Sequence, residues 1–428
     1  MPHILQANKH QLVVNIALLL YPITILAIPV INGLIFSILA LLGLWTILSQ
    51  RQELQPLTRQ EQLIFVSLLF FFIASQISTF RYGISYGMTG KFIHLPLLIP
   101  IYFYLKHTGV SLKALWFGLI GGAIVTIFIS FHDLIVEHNL RAQGITHPII
   151  FGDLALILGV MSLAGYGWFA HRNNWQKILP IIALSLGLIS SFLSMSRGAW
   201  VAIPALFIAF VWFSRSRISL KMSSLFASLL ILLLTIIYTI PQTGVSNRIH
   251  ETINNISRYQ QSDINSDDRQ TSIGSRLEMW QASWQIFLNN PLLGAGWGNY
   301  TEQAKKLVAR GERHPTVADY PHPHNQYLSH LASGGMLGFI SLLLLLITPA
   351  WIFYRNIKYS SNPDIQRIAF AGLLLLIAYA FFALSEAILH RSRPVGFLSI
   401  YLAIFLAPIF SKKDLQLTTV SDNTASSS

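Results

Sequence analysis

Four histidines, His314, His322, His324 and His330, gather where a long polar stretch meets an apolar one. An imidazole titrates near working pH, so one such residue can take a proton or bind hydroxyl and phosphate groups. His324 is the best placed. It follows a rigid proline in Pro321-His322-Pro323-His324-Asn325-Gln326-Tyr327-Leu328, at the mouth of the apolar stretch. Zinc is the alternative chemistry. The chain has no cysteine, so zinc would need histidine and carboxylate ligands, and the spacing matches no metalloenzyme pattern. The expectation is therefore no metal and no cofactor.

Arginine supplies the second kind of chemistry. Ser275 and Glu278 form a capping-box pattern, and Leu277, Trp280, Trp284, Phe287 and Leu288 follow with helical spacing. This predicts an amphipathic helix ended by Asn289-Asn290-Pro291, with its aromatic stripe at headgroup level. Arg276 is expected in the first turn, where a cation opposes the helix dipole, so an anionic partner is one reading and a tolerant exposed site the other. Three glycines follow at alternate positions, Gly294, Gly296 and Gly298. Without the strand and helix of a nucleotide fold they read as a sharp turn with close backbone approach. The segment before the helix, Asn247 to Ser272, is rich in Asn, Ser, Asp and Gln and is expected to be irregular.

These residues need a scaffold, and composition says which. The 428 residues are 53% hydrophobic and 11% charged, which excludes an ordinary soluble globule. The net charge of +12 reads as loop Lys and Arg of a membrane protein rather than as a nucleic-acid surface. No cleavable signal is apparent. Twelve apolar spans are expected at 11–29, 31–49, 63–80, 92–106, 111–132, 148–169, 178–195, 199–214, 223–240, 326–354, 366–389 and 395–410, with eleven or thirteen open. The expected organisation is membrane helices over 1–240, a loop domain over 241–325, membrane helices over 326–413 and a disordered tail over 414–428. One set of short loops carries 15 Lys and Arg and the opposite set 6. Positive-inside then puts both termini in the cytoplasm and the long segment outside. His94, His132, Asp133, Asp153, Arg197 and Glu386 all map to that outer side, which predicts a wet external cavity.

Three motifs together resemble the O-antigen ligase and polymerase superfamily over essentially the whole chain. They are Ser196-Arg197-Gly198, Arg276-x-x-x-Trp280 with Pro291-Leu292-x-Gly294-x-Gly296, and His324-Asn325 followed after nine residues by Gly335-Met336-Leu337-Gly338. In the last motif Phe339-Ile340 stands where the family often has Thr-Gly. The resemblance implies an all-α polytopic membrane protein of glycosyltransferase C-like fold in the bacterial inner membrane. It implies a ligase that transfers a glycan from undecaprenyl pyrophosphate to a sugar hydroxyl of lipid A–core at the periplasmic face, inverting and metal-independent. It implies catalytic roles for His324, Arg197 and Arg276, the arginines holding the diphosphate bidentately and His324 serving the acceptor hydroxyl. Asn325, His322, Trp280, Arg141 and Arg313 are the further substrate-binding candidates. Lys305, Lys306 and Arg310 face either the acceptor phosphates or water. A polymerase or a protein O-oligosaccharyltransferase of the same superfamily is the near alternative. A transporter is the distant one, since no repeat between halves is visible.

Overall fold

The computed structural model describes residues 2–82, 86–170, 172–214, 245–264 and 266–411. The expected span 223–240 and the tail from 414 lie outside them. Among the described residues the chain is helical, with no strand. Nine helices among these residues are long and apolar enough to cross a membrane, and Pro148–Ala164 is a shorter apolar one. In chain order the N-terminal part is α1 Pro2–Thr24, α2 Pro29–Ser49, α3 Arg59–Tyr82, α4 Tyr86–Phe92, α5 His94–Thr108 and α6 Leu112–Phe131. It continues with α7 Pro148–Ala164, α8 Tyr166–Phe169, α9 Asn174–Leu193, α10 Arg197–Trp200 and α11 Ile203–Ser214. The loop domain holds α12 Val245–Gln261, α13 Ser272–Asn289 and α14 Tyr300–Ala309. The bundle closes with α15 Gln326–Tyr359, α16 Pro363–Phe382 and α17 Ser392–Phe410.

The centre of the bundle is α17. It is buried continuously from Pro394 to Pro408, as expected of a helix that is apolar on every side. Lipid offers helices no hydrophobic drive to associate, so close packing of small residues matters. Gly43 of α2 lies against the Pro100 carbonyl of α5, and Gly118 of α6 against the Leu18 carbonyl of α1, each too close for a side chain. At the end away from the loop domain, Lys106 pairs with the fully buried Glu61, which also accepts from Tyr102 and from the Thr58 backbone. That carboxylate is spent on capping α3 and tying it to α5.

The loop domain departs from two expectations. The stretch 247–272 is not irregular: α12 and a 3-10 turn at Asp267–Gln270 occupy most of it. Ile249, Ile253, Ile256 and Tyr259 recur at helical spacing within the polar composition. Ser275 does not cap α13. Thr271 does, accepting from Gly274 N at 3.0 Å, so α13 begins earlier and Arg276 sits in its second turn. Glu278, expected in the capping box, is fully buried. It accepts from Tyr259 Oη at 2.6 Å, from His314 N at 3.2 Å and from Arg269. A small core of Met279, Ala282, Ile286, Tyr300, Leu307 and Val317 closes onto Ala332 of α15.

That docking breaks α15. Gly335 has φ +62°, a left-handed conformation that favours glycine. The segment 291–296 runs alongside the break. Ala295 N donates to Ala332 O at 2.8 Å and Gly296 N to Ser333 O at 2.9 Å. In return Met336 N donates to Pro291 O at 2.8 Å and Leu337 N to Leu292 O at 3.1 Å. The strap thus satisfies backbone groups that the break frees inside the bundle. A side chain on Gly294 would collide with the backbone at Ser333 and Gly334. The alternating glycines are a close backbone approach, as expected, with Gly294 N and Gly296 N donating to the carbonyls of Asn290 and Ser333.

Candidate active site at the loop-domain end

His324 immediately precedes the cap of α15, held between three elements. Asn325 caps the helix, its Oδ1 accepting from Leu328 N at 3.0 Å, while its Nδ2 donates to Leu384 O at 3.1 Å. Trp280 of α13 donates from Nε1 to Pro323 O at 3.0 Å. His324 itself takes φ +48°, unusual for a residue with a side chain. Such strain persists only where the surroundings over-determine it, and here both neighbours of His324 are tied down. Asn325 and Trp280 therefore place His324. The Nδ2 and Oδ1 of Asn325 thus each hold a protein partner, which gives the residue a positioning role in the structure.

The partner of His324 is Glu386, in the turn after α16. His324 Nδ1 and Glu386 Oε2 are 2.9 Å apart, and His322 Nε2 lies 3.8 Å from Oε1. Glu386 is only 2% exposed. Burial alone would raise its carboxyl, but the hydrogen bond and charge of His324, with His322 and Arg391 behind, outweigh that and hold it below the ordinary range. An ionised Glu386 can only accept, so Nδ1 of His324 is the donor, and in the neutral ring Nε2 is the nitrogen that can take a proton. His322 is pushed down to about 4, chiefly by burial. It accepts from His324 N at 3.4 Å. His390 meets it edge to face, 5.0 Å between ring centres, and burial holds that imidazole well below its usual value.

The arginines close in on the same dyad. Arg197 opens α10, and its neighbours show why Ser and Gly flank it. Ser196 is buried and donates to Ile149 O or Asp153 Oδ1, both at 3.3 Å. Gly198 lies so close to Ser385 that no side chain would fit, which presses α10 onto the turn carrying Glu386. Arg276 is half-buried. Burial lowers its pKa first, Arg197 lowers it further, and Glu386 and Tyr320 act against them. Arg276 thus lies within electrostatic reach of Arg197, Glu386 and Tyr320, and remains a cation. Arg141 donates to Ser194 O at 2.8 Å and to Met195 O at 3.3 Å, and its pKa is lowered by burial and then by Arg197. Arg141, Arg197 and Arg276 are thus linked electrostatically, and Arg276 reaches Glu386 of the His–Glu dyad, a fit for a polyanionic group with a reactive bond.

Arg313 does not join them. Its neighbours are Glu312, whose carbonyl accepts from it, and Tyr259 of the Glu278 network. Lys305 pairs with Glu302 at 2.9 Å and Arg310 with Glu312 at 3.0 Å on the outer surface. His314 caps a 3-10 turn and His330 is buried against Trp297. Asp133 accepts from Gln143 N and Gly144 N, both at 2.7 Å, and so shapes the loop before α7. Glu386 is the residue that motif reading left without a role. Its only signal was an acidic residue at the outer end of an apolar span.

His322, His324 and Glu386 also form the one group among the described residues with ligand atoms close enough together, within 4.8 Å, for a metal ion. An ion there would have to displace the His324–Glu386 hydrogen bond.

Fold and site together define a polytopic helical membrane protein with a cationic, histidine-centred site at one end of its bundle. A family model described as O-antigen ligase matches residues 182–343, a range that contains Arg197, Arg276 and His324. The chain is 27% identical over 130 residues to the O-antigen ligase of Escherichia coli, which covers 30% of this chain and 30% of that protein. It is 24% identical over 407 residues to an uncharacterized protein of Haemophilus influenzae, covering 93% of this chain and 99% of the relative. Over residues 182–343 the chain is similar to the O-antigen ligase family, and the two likenesses together support membership of that superfamily.

Proposed function

We propose that this protein is an O-antigen ligase of the inner membrane. It moves a glycan from undecaprenyl pyrophosphate to a sugar hydroxyl of lipid A–core, with the loop domain and site facing the periplasm and both termini in the cytoplasm. The observation that carries the reading is the His324–Glu386 pair set beside Arg276 and Arg197. Glu386 orients His324 so that Nε2 takes the proton of the acceptor hydroxyl. The hydroxyl oxygen bonds to the anomeric carbon as the bond from that carbon to the diphosphate breaks. Attack from the face opposite the leaving diphosphate inverts that carbon. Arg197, Arg276 and Arg141 take the charge that collects on the departing diphosphate, a task guanidinium forks perform without a divalent ion. His322 and Trp280 line and hold the His324 loop.

The test is a deletion strain complemented with the wild-type gene or with His324→Ala. Bare lipid A–core together with long glycan accumulating on undecaprenyl pyrophosphate supports the ligase. A core capped by one repeat unit would make it a polymerase. An unchanged pattern on both would point to protein glycosylation or transport.

A further inference from the structure

A cavity of about 560 Å³ lies beside the His324 centre, between the α1–α2 turn and the starts of α5, α7 and α17. His390 forms one of its walls, and behind His390 stand His322 and the Glu386 dyad. Neither Arg197 nor Arg276 lines it.

Three cations do: Lys91, Arg391 and Arg393, with no carboxylate among the lining residues. Their contacts within the protein are weak. Lys91 Nζ meets only the Met88 sulfur at 3.5 Å. Arg393 Nη1 donates to Ile145 O at 3.2 Å, and Arg391 Nε is buried with no hydrogen-bond partner. Arg391 shares the field of Glu386 behind the wall, but cations gathered at the edge of a bilayer with no carboxylate in the cavity itself are costly, and such sets mark an anion's place. A second orphan complements them. Asn32 is more than nine-tenths buried. Its Nδ2 donates to Tyr21 O at 2.9 Å, but its Oδ1 has no partner. A ligand that satisfies this cavity must therefore accept hydrogen bonds through a charged group and donate one through a hydroxyl. The remaining wall is apolar, with Ile25, Phe36 and Ile150. Val30 and Leu34, beside Asn32 on α2, stand exposed on the outside of the bundle where lipid chains would lie.

We propose that this cavity receives the phosphorylated sugar headgroup of the acceptor amphiphile. Its phosphate sits on Lys91, Arg391 and Arg393, and one of its hydroxyls donates to Asn32 Oδ1. The proposal rests on the transferase reading for there being two phosphorylated substrates. It separates them: the diphosphate of the donor lies on the Arg197 and Arg276 side of the dyad, the acceptor phosphate on the His390 side. Of the outer-surface cations considered for the acceptor, Lys305 and Arg310 are already paired with Glu302 and Glu312.

The test is direct binding to the full chain in nanodiscs, with two probes. One is a prenyl diphosphate without glycan, the other a bisphosphorylated glucosamine disaccharide lipid. Lys91→Gln, Arg393→Lys and Asn32→Leu are compared with Arg276→Lys, each checked for wild-type thermal unfolding. Lys91→Gln removes little internal contact, so it keeps the test open if the others misfold. The cavity variants are expected to weaken the disaccharide lipid roughly tenfold, the scale of one charge-assisted hydrogen bond, and to leave the prenyl diphosphate within about twofold. Arg276→Lys should do the reverse. Unchanged binding of both probes, equal loss of both, or loss confined to the prenyl diphosphate would each overturn the proposal. Binding requires no turnover, so selective loss without any glycan transfer would refute the transferase reading and leave the cavity assignment standing.

Discussion

A carboxylate the chain hides almost completely decides the state of the histidine it exposes. Glu386→Gln keeps the shape of that contact and removes its charge. His324 then loses the partner that fixes its Nδ1 proton, and transfer should fall about a hundredfold or more with donor KM little changed. A glycan-transfer assay reads this, and a near-normal rate would remove Glu386 from the dyad. Arg197→Lys and Arg276→Lys keep charge but lose the planar fork, so each should lower the rate by about a hundredfold. Wild-type rates from either would take that arginine out of the clamp. His322 carries a pH effect of definite sign. Its pKa, about 4 in the folded chain against an ordinary value near 6.5, means that the unfolded chain alone takes up the proton between those values. Stability is therefore whole above roughly pH 6.5 and declines by on the order of 3 kcal/mol as pH falls toward about 4. His322→Gln should flatten the dependence of Tm on pH across that window.

Among the elements, the break in α15 is the most exacting. Gly335→Ala would force a side chain into a left-handed backbone and against the Leu292 carbonyl and Gly294. Backbone strain alone costs about 1–3 kcal/mol, and the lost strap contacts add to it. Thermal unfolding in detergent should fall clearly for Gly335→Ala, and less for Gly338→Ala, where the nearest atom lies 3.2 Å away. Much at this scale was legible in the residues. Eleven of the twelve expected spans fall on helices α1 to α11 and α15 to α17, because uninterrupted apolar length is a strong signal. The amphipathic α13 and the close approach at Gly294 were also readable. What escaped has physical reasons. Composition hid α12, since Asn, Ser and Gln outnumber the isoleucines at its helical spacing. The capping pattern at Ser275 and Glu278 was outcompeted by Thr271 and by a buried ion pair that only tertiary packing reveals. The expected aromatic stripe of α13 divides: Phe287 is buried, while Trp284 and Leu288 are exposed.

Across the whole molecule, the site is assembled from residues far apart in sequence: Arg141, Arg197, Arg276, His324 and Glu386. Local motifs could announce three of them. They could not show that α10 presses on the turn after α16, because that contact depends on the packing of α7, α10 and α16. The same assembly brings together the ligand atoms of His322, His324 and Glu386. If the guanidinium groups bear the leaving charge, transfer should survive EDTA at full rate. Loss of activity restored by a divalent ion would instead assign that group to a metal.

The buried central position of α17 also has a consequence for biosynthesis. His324 emerges from the ribosome well before Glu386 and the helix that completes the core. At roughly 5–20 residues per second, the interval up to Phe410 lasts on the order of ten seconds. During that time the earlier helices must hold open the place α17 will fill, with the cavity wall of Arg391 and Arg393 still missing. Until the last helix is threaded into the centre, the nascent chain has neither its dyad nor its second basic wall, and a half-made protein cannot spend lipid-linked glycan.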